Sequence, residues 1–494
     1  MIAAVRGVGG CQRLTSGQHQ VAASGHVEQS QPADRPHDPR PRSRTTGRCS
    51  NSRDRRPVVL PSGDDAQQRN DLRRLCRRHT VNTITRSRRL AALRDFPDFR
   101  QLWGAHLISA LGTGVTTLAI PLLAAVLLHA SPVEIGVLTA LNAVPHVLFS
   151  LVAGALIDRS PQRAVLVVTD FGRACCLGAV PVLGLLHLLS MQVLYGVVVL
   201  VQTQTVVNDL ASASLVPKVL PTEMLAASNS ALSVNSSVAG IAGNGLGGGL
   251  VQLAGASLAV AVDAVSYAVS GTLLLFLRSP SLRTARVRGR RGIVGDIKSG
   301  LAYVRQDRVL VALCLTSGIG ALAVAIRDAS LVLALVRDLH FSPALVGLLA
   351  MLAGLGGVIG GLLASRVAKR LGFGRSVLWA IVVSAPAIGL LTSPFGVAAP
   401  LVVGLGQFIA GASGAVYTIG QLTMRQLVTP PDMLGRVNAV RRFLVYAMLP
   451  VGGLVGGFGG VHVESRAMLG VAAVVMLASV LPLLAADVRP GVRP

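Results

Sequence analysis

Charge is scarce in this chain of 494 residues. Asp, Glu, Lys and Arg together make up 14% of it, aromatic residues only 4%, and there are two Trp. A soluble protein covers its surface with charge on about a quarter of its residues, so a water-soluble fold is not expected. The six cysteines, at 11, 49, 76, 175, 176 and 314, have neither the number nor the spacing of a disulfide framework or a zinc site. Glycine clusters such as Gly245-Leu246-Gly247-Gly248-Gly249 lack the Lys-Ser/Thr of a phosphate loop and lie inside an apolar run. With no metal-ligand spacing or nucleophile–base arrangement either, no enzyme, no cofactor and no direct use of ATP is expected.

In excess are apolar and small residues: 51% hydrophobic, 54 glycines and a mean hydropathy of +0.60. The formal charge of +24 invites a nucleic-acid reading, but its distribution argues against one. Residues 1–94 hold 19 Arg against seven Asp and Glu, and the remaining excess falls in short connections between apolar runs. That is the pattern of positive charge on the cytoplasmic side of a membrane.

Residues 1–92 are rich in Arg, Pro, Ser and Gln and contain no aromatic residue. Such a segment cannot bury enough apolar surface to offset its ordering entropy, so a disordered tail is expected. It has no apolar core of a signal peptide. Two readings stand: an arm binding anionic lipid, or a start placed too early, with a true one near Val81, since no Met follows Met1 before Met191.

From Phe99 onward, apolar stretches of about twenty residues recur, each long enough to cross a hydrocarbon core of about 30 Å. They lie near 100–128, 133–157, 164–187, 191–213, 227–252, 257–277, 309–336, 343–365, 375–393, 398–424, 441–461 and 467–486. An all-α polytopic membrane protein of 12 transmembrane helices is predicted. One set of alternate connections holds twenty Lys and Arg, including Arg159, Arg163, Lys218, Arg366, Arg370, Arg425, Arg436, Arg441 and Arg442; the other holds only Arg337 and Arg466. Both termini are therefore expected in the cytoplasm. The loop 278–308 divides the spans into six-helix bundles at 93–277 and 309–487, leaving a short tail at 488–494. Its stretch "GDIKSGLAYVRQ" has the apolar face of a helix lying on a membrane surface.

The second span ends on "GALIDRSPQR". Gly154 leaves room for a neighbouring helix. Asp158 can accept from the free N–H groups at a helix N-terminus, a contact worth about 0.3–2 kcal/mol. Arg159 and Arg163 are expected in the headgroup zone, pairing with phosphates or acidic side chains. The stretch recurs as "GLLASRVAKR" at 361–370, an offset of 207, placing Gly361, Arg366 and Arg370 in register and Ser365 where the Asp would fall. "PTEMLAASN" at 221–229 and "PPDMLGRVN" at 430–438 match at an offset of 209, so a duplicated six-helix unit is inferred.

Twelve spans in two halves, a basic central loop and this turn resemble the major facilitator superfamily. Stretches such as "LRDFPDFRQLWGAHLIS", "LVPKVLPTEMLAASNSAL", "VDAVSYAVSGTLLLFLR" and "GRVNAVRRF" are similar to its macrolide-efflux and siderophore (enterobactin)-exporter branch. The resemblance implies that Asp158 meets the eleventh helix, here starting near Arg441, and closes the cytoplasmic side. The family's first helix often carries an acid where Thr113 stands here. Exporters often show Gly-Pro-x-x-Gly-Gly in the fifth helix, where this chain has Gly243-Asn244-Gly245-Leu246-Gly247-Gly248, so close packing is the safer reading of that stretch.

Ionisable groups inside a bilayer face a cavity or a partner. Asp170 and Arg173 share a helix face and read as a mutual pair or a coupling element. Asp209 and Asp263 are candidates for titration, or for capping and backbone bonding. Arg327 and Asp328 sit near the outer interface, where Arg327 can snorkel or attract anions. His106 and His146 are lone histidines within spans, and Glu134 is expected to be solvated. Asn142, Asn235, Asn244, Gln407 and Tyr417 are candidates to line a midplane cavity. With no central cationic cluster visible, a bulky amphipathic or neutral substrate is expected. The predicted function is a monomeric secondary exporter of a drug, macrolide or siderophore-like molecule in the plasma membrane, working by proton antiport, with lipid as its other partner. An importer or lipid facilitator of the same fold, or a membrane sensor that moves nothing, are the alternatives.

Overall fold

The computed structural model describes residues 96–149, 160–221, 224–277, 293–392, 398–430 and 433–486. The basic tail, the loop over 278–292 and the residues Gly154, Asp158 and Arg159 lie outside them. A backbone in lipid must satisfy its amides internally, and the described apolar runs are all helical. In order they are α1 (Pro97–Leu122), α2 (Pro132–Phe149), α3 (Gln162–Leu185), α4 (Met191–Val219), α5 (Leu225–Ala254), α6 (Ala256–Leu275), α7 (Ile293–Gln306), α8 (Arg308–Leu333), α9 (Pro343–Leu371), α10 (Phe373–Gly389), α11 (Ala399–Val428), α12 (Leu434–His462), α13 (Ser465–Ala478) and α14 (Leu481–Ala485). Eleven spans among the described residues are long and apolar enough to cross a membrane, with α13 and α14 forming one of them. The twelfth long helix, α5, is 30 residues but carries many Ser, Asn and Gly; it packs against α1 and α9.

Side chains and special backbone positions fix the helix ends. Ser131 and Glu134 form a reciprocal capping box: the Ser131 backbone N–H donates to Glu134 Oε2 at 2.7 Å, and the Glu134 N–H donates to Ser131 Oγ at 3.3 Å. Glu134 is thus tied to the start of α2 rather than merely solvated. Asp307 accepts from the N–H groups of Val309 (2.7 Å) and Leu310 (3.3 Å) at the start of α8. Single glycines join α5 to α6 and α9 to α10. Gly255 has φ +83° and Gly372 has φ +80°, a conformation that costs glycine little.

The duplication is visible atom by atom at one end. After α1 and after α8 the chain loosens into a π turn, Leu123–Leu127 and Ala334–Asp338. The Leu128 N–H donates to Leu123 O and the Ala130 N–H to Ala124 O; Leu339 to Ala334 and Phe341 to Leu335 repeat the pattern 211 residues later. His129 (φ 47°) and His340 (φ 55°) occupy the same left-handed position. The sequence carries this match as Leu-His-x-Ser-Pro at 128–132 and 339–343, a third and more specific repeat than the two that spacing alone brought out.

At this end, the far end from the basic connections, the halves close on each other through backbone. A Cβ at Gly136 would stand 2.6 Å from Gly453 O and Gly457 Cα, joining α2 to α12. One at Gly248 would stand 2.6 Å from Gly347 Cα and Pro343 O, joining α5 to α9. The α5–α9 contact continues inward to Ile241, whose Cγ1 would stand 2.9 Å from a Cβ at Gly354; nearer the basic end, those at Gly357 and Gly361 would meet only α11 of their own half.

Overpacking a close helix contact costs about 1–3 kcal/mol, so Gly136→Val is expected to loosen the far end. In a cysteine-free background, oxidation of a Pro132→Cys/Gly460→Cys pair, whose Cβ atoms lie 3.0 Å apart, checks this. Gly136→Val should slow cross-linking several-fold, whereas Gly104→Val, facing open space, should leave it unchanged.

Candidate functional site between the halves

The helices that meet across the two halves bring titratable groups together. On α2, His146 stacks on Tyr446 of α12, with ring centroids 4.8 Å apart and planes inclined by 26°. His106 of α1, His146 and Arg173 of α3 all face Asp209 of α4, as does Arg442 of α12 from the other half. Asp209 is solvent-accessible although groups from four other helices surround it. It therefore lines the space between the bundles. The Nδ1 of His106 is shielded and bonds to nothing, while the His146 imidazole lies against the Asn142 backbone one turn back. On the same face, Asn142 Oδ1 accepts from Gln202 of α4 at 2.9 Å.

Behind this surface lies the polar core of the first half. Asp170 (2% exposed) and Arg173 (5%) form a buried ion pair within α3. Asp170 also accepts from Asn208 of α4 (3.0 Å) and Ser270 of α6 (2.6 Å). The Arg173 guanidinium carbon sits 4.1 Å from the centroid of the Tyr267 ring on α6, a cation–π contact. The Tyr267 hydroxyl shares a hydrogen bond of 2.7 Å with Thr113 on α1. Four helices are thus tied to one salt bridge. Asp263, one helical turn before Tyr267, is 1% exposed and accepts from Ser266 at 2.9 Å.

The far-end closure has a polar component that charge counting did not bring out. Arg337, in the π turn of the second half, donates to Ala130 O at 2.8 Å and Ala125 O at 3.2 Å in the first half. A turn that loosens its own ladder leaves carbonyls free, and here the opposite half takes them. Behind it, Arg466 donates to Asp338 O at 2.6 Å.

Other predicted residues stand elsewhere. Asn235 is buried within the first half, donating to Trp103 O at 2.9 Å, which ties α5 to α1. Asn244 offers its backbone carbonyl to the α9 contact at Gly347. Gln407 is buried in α11, and the Tyr417 hydroxyl accepts from Gln421 at 3.1 Å. Arg327 and Asp328 bond each other at 2.7 Å and are partly exposed. Among the described residues, no group of three His, Cys, Asp or Glu is arranged to hold a metal.

The sequence matches the model of the transmembrane secretion effectors over residues 88–492. The chain belongs to that family of major facilitator-type transporters. As a secretion effector it is a multi-pass membrane protein. It is 26% identical over 348 residues to the MFS-type transporter YfiS of Bacillus subtilis, covering 68% of this chain and 80% of that one. It is 26% identical over 371 residues to the MFS-type transporter y4rN of Sinorhizobium fredii, covering 74% and 87%. In fold it is similar to the nucleoside transporter NupG (TM-score 0.65, 13% identity, covering 79% of this chain and 99% of that one). It is likewise similar to a bacterial homologue of the iron transporter ferroportin in its inward-facing state (TM-score 0.63, 18% identity, covering 80% and 99%).

Parts of the two matching stretches that follow the second span of each half can be placed in this secretion effector. Arg163 donates to the Leu275 carbonyl at the end of α6, so it ties α3 to α6. In the second half α9 continues helically to Leu371, and Arg366 and Arg370 stand exposed on its last two turns. There they complement the helix dipole.

Breaking a buried pair by removing one member costs about 3–5 kcal/mol. Arg173→Met is expected to lower the thermal midpoint of the purified secretion effector sharply, and Asp170→Asn/Arg173→Met to recover most of the loss. A double variant no more stable than the single would show that Arg173 does not act by balancing Asp170.

Proposed function

We propose that this protein is a secondary active exporter of amphipathic small molecules, of the drug, macrolide or siderophore kind, that works by alternating access with proton antiport in a bacterial inner membrane. The observation that carries the reading is Asp209, accessible between two bundles that close at the far end and, past Ile241 and Gly354, part toward the basic end between α5 and α9, with His106 and His146 within electrostatic range of it. A carboxylate that both halves can reach is where a proton and a substrate compete. The secretion description of the family supports outward movement. The excess of Lys and Arg on one set of connections supports cytoplasmic termini, with the parted end facing the cell interior.

Within this scheme Asp209 is the proton-carrying group. Asp170 and Arg173 hold its surroundings through Asn208, the residue before it on α4. Asp263 is a second candidate carrier, reached only after α1 and α6 separate. Asn142, Gln407 and Tyr417 contact cargo. Gly154, Asp158 and Arg159 close the basic end by meeting the start of α12, while Arg337 and the glycine contacts release at the other. Arg327 and Asp328 face the outer vestibule. The protein acts as a monomer.

Everted vesicles from a strain overproducing the protein, energised and supplied with a fluorescent macrolide or another amphipathic probe, test the scheme. Accumulation above that of control vesicles is expected, with loss of it when the pH gradient is collapsed. Asp209→Asn should abolish net accumulation while leaving probe-for-probe exchange intact. Accumulation indifferent to the pH gradient would eliminate antiport, and reporter fusions near Arg163 and Arg370 on opposite sides would eliminate the topology.

A further inference from the structure

The arginines at the junction of α11 and α12 belong to the interior rather than to a connection. Hydropathy ends the tenth span at 424 and begins the eleventh at 441, yet α11 runs to Val428 and α12 starts at Leu434. Arg425 is consequently helical and 3% exposed. Its Nε and Nη1, and the Nε of Arg441, are shielded from solvent and donate to nothing. The two guanidinium groups lie within electrostatic range of each other and of Cys314 on α8, and both also act on Tyr417.

No carboxylate among the described residues from Asp307 to Ala486 answers them. Asp307 caps α8, Asp328 pairs with Arg327, Asp338 meets Arg466, and Glu464 stands at the start of α13 at the opposite end. Burying a charge without a partner costs several kcal/mol, and arginine does not relieve the cost by releasing its proton. One buried guanidinium and a half-buried one within electrostatic range of it, with hydrogen-bond donors left over, describe a site whose counter-ion is a ligand. A planar guanidinium fork suits a carboxylate or phosphate oxygen pair.

The surroundings add to the description. Tyr417, Gln421 and Arg425 recur at four-residue spacing along one face of α11. Gln421 bonds Ser317 of α8 and donates to the Tyr417 oxygen at 3.1 Å; the Tyr417 hydroxyl also bonds Ser317, so it donates to a ligand only by leaving that partner. Apolar Val440 and Leu444 of α12 are only half-buried beside this pocket.

We propose that Arg425 and Arg441 bind the oxyanion head of an amphipathic molecule, a carboxylate or a phosphate, with Tyr417 as an additional donor and Val440 and Leu444 against its apolar part. The site depends neither on the direction of transport nor on proton coupling. Its ligand is either a free organic anion or a lipid headgroup.

The test uses the purified full chain in neutral detergent at constant ionic strength, with thermal midpoint as the readout. Hexanoate and hexyl phosphate serve as free anions, dioctanoyl phosphatidylglycerol as the lipid, and hexanol as the uncharged control. A saturable rise of several degrees is expected with the anions or with the lipid, and none with hexanol. Which of the two raises the midpoint identifies the source of the oxyanion. Arg425→Gln and Arg441→Gln should lose the rise, and Arg375→Gln, an exposed arginine at the start of α10, should keep it. Without ligand, Arg425→Met should be more stable than the wild type, because it removes an unpaired buried charge; a purely structural arginine would give the opposite sign. No rise with any anion, a rise that survives Arg425→Gln and Arg441→Gln, or destabilisation by Arg425→Met would overturn the proposal.

Discussion

Two helix crossings at which backbone touches backbone hold the halves of this molecule together. Gly136 against Gly457 and Gly347 against Gly248 are equivalent contacts, since each sets the start of a second span against the end of a fifth. In lipid there is no hydrophobic gain in pressing one apolar helix on another, so association rests on close packing and on hydrogen bonds between helices. Glycine supplies the first and Arg337 the second, by taking carbonyls that the opposite π turn has freed. Both contacts are noncovalent, and the glycines of the first are buried on both sides.

The distribution of charge across the two bundles is uneven, and its consequences follow from burial. The first half neutralises its interior: Asp170 has Arg173, two further donors and a tyrosine ring about the pair. The second half leaves Arg425 and Arg441 without an acid. Between them stands Asp209, accessible and faced by histidines of its own half and by Arg442 of the other.

Much of the architecture could be read from the amino-acid order, because a bilayer demands long apolar helices and loops of biased charge. The α5 helix is the instructive exception. Its Ser, Asn and Gly keep it below the hydropathy of the other spans, yet it is covered by α1 and α9 and crosses with them. Arg425 and Arg441 went the other way: at the edge of an apolar run a charge reads as loop, and only the packing of α8, α11 and α12 shows that the helices run through them.

The sequence by itself determined the membrane-crossing helices, their duplication and the charge asymmetry of their connections, because each depends on local composition or on spacing along the chain. It did not determine which face of each helix turns inward. Averaged hydropathy carries no rotation, and a helix with apolar residues all round shows no preferred side. The stack of His146 on Tyr446, the hold of Arg337 on the opposite half and the burial of Arg425 were decided only when twelve such helices packed, since the first two need partners about 300 and 210 residues away, brought within a few ångströms by glycines that let backbones meet.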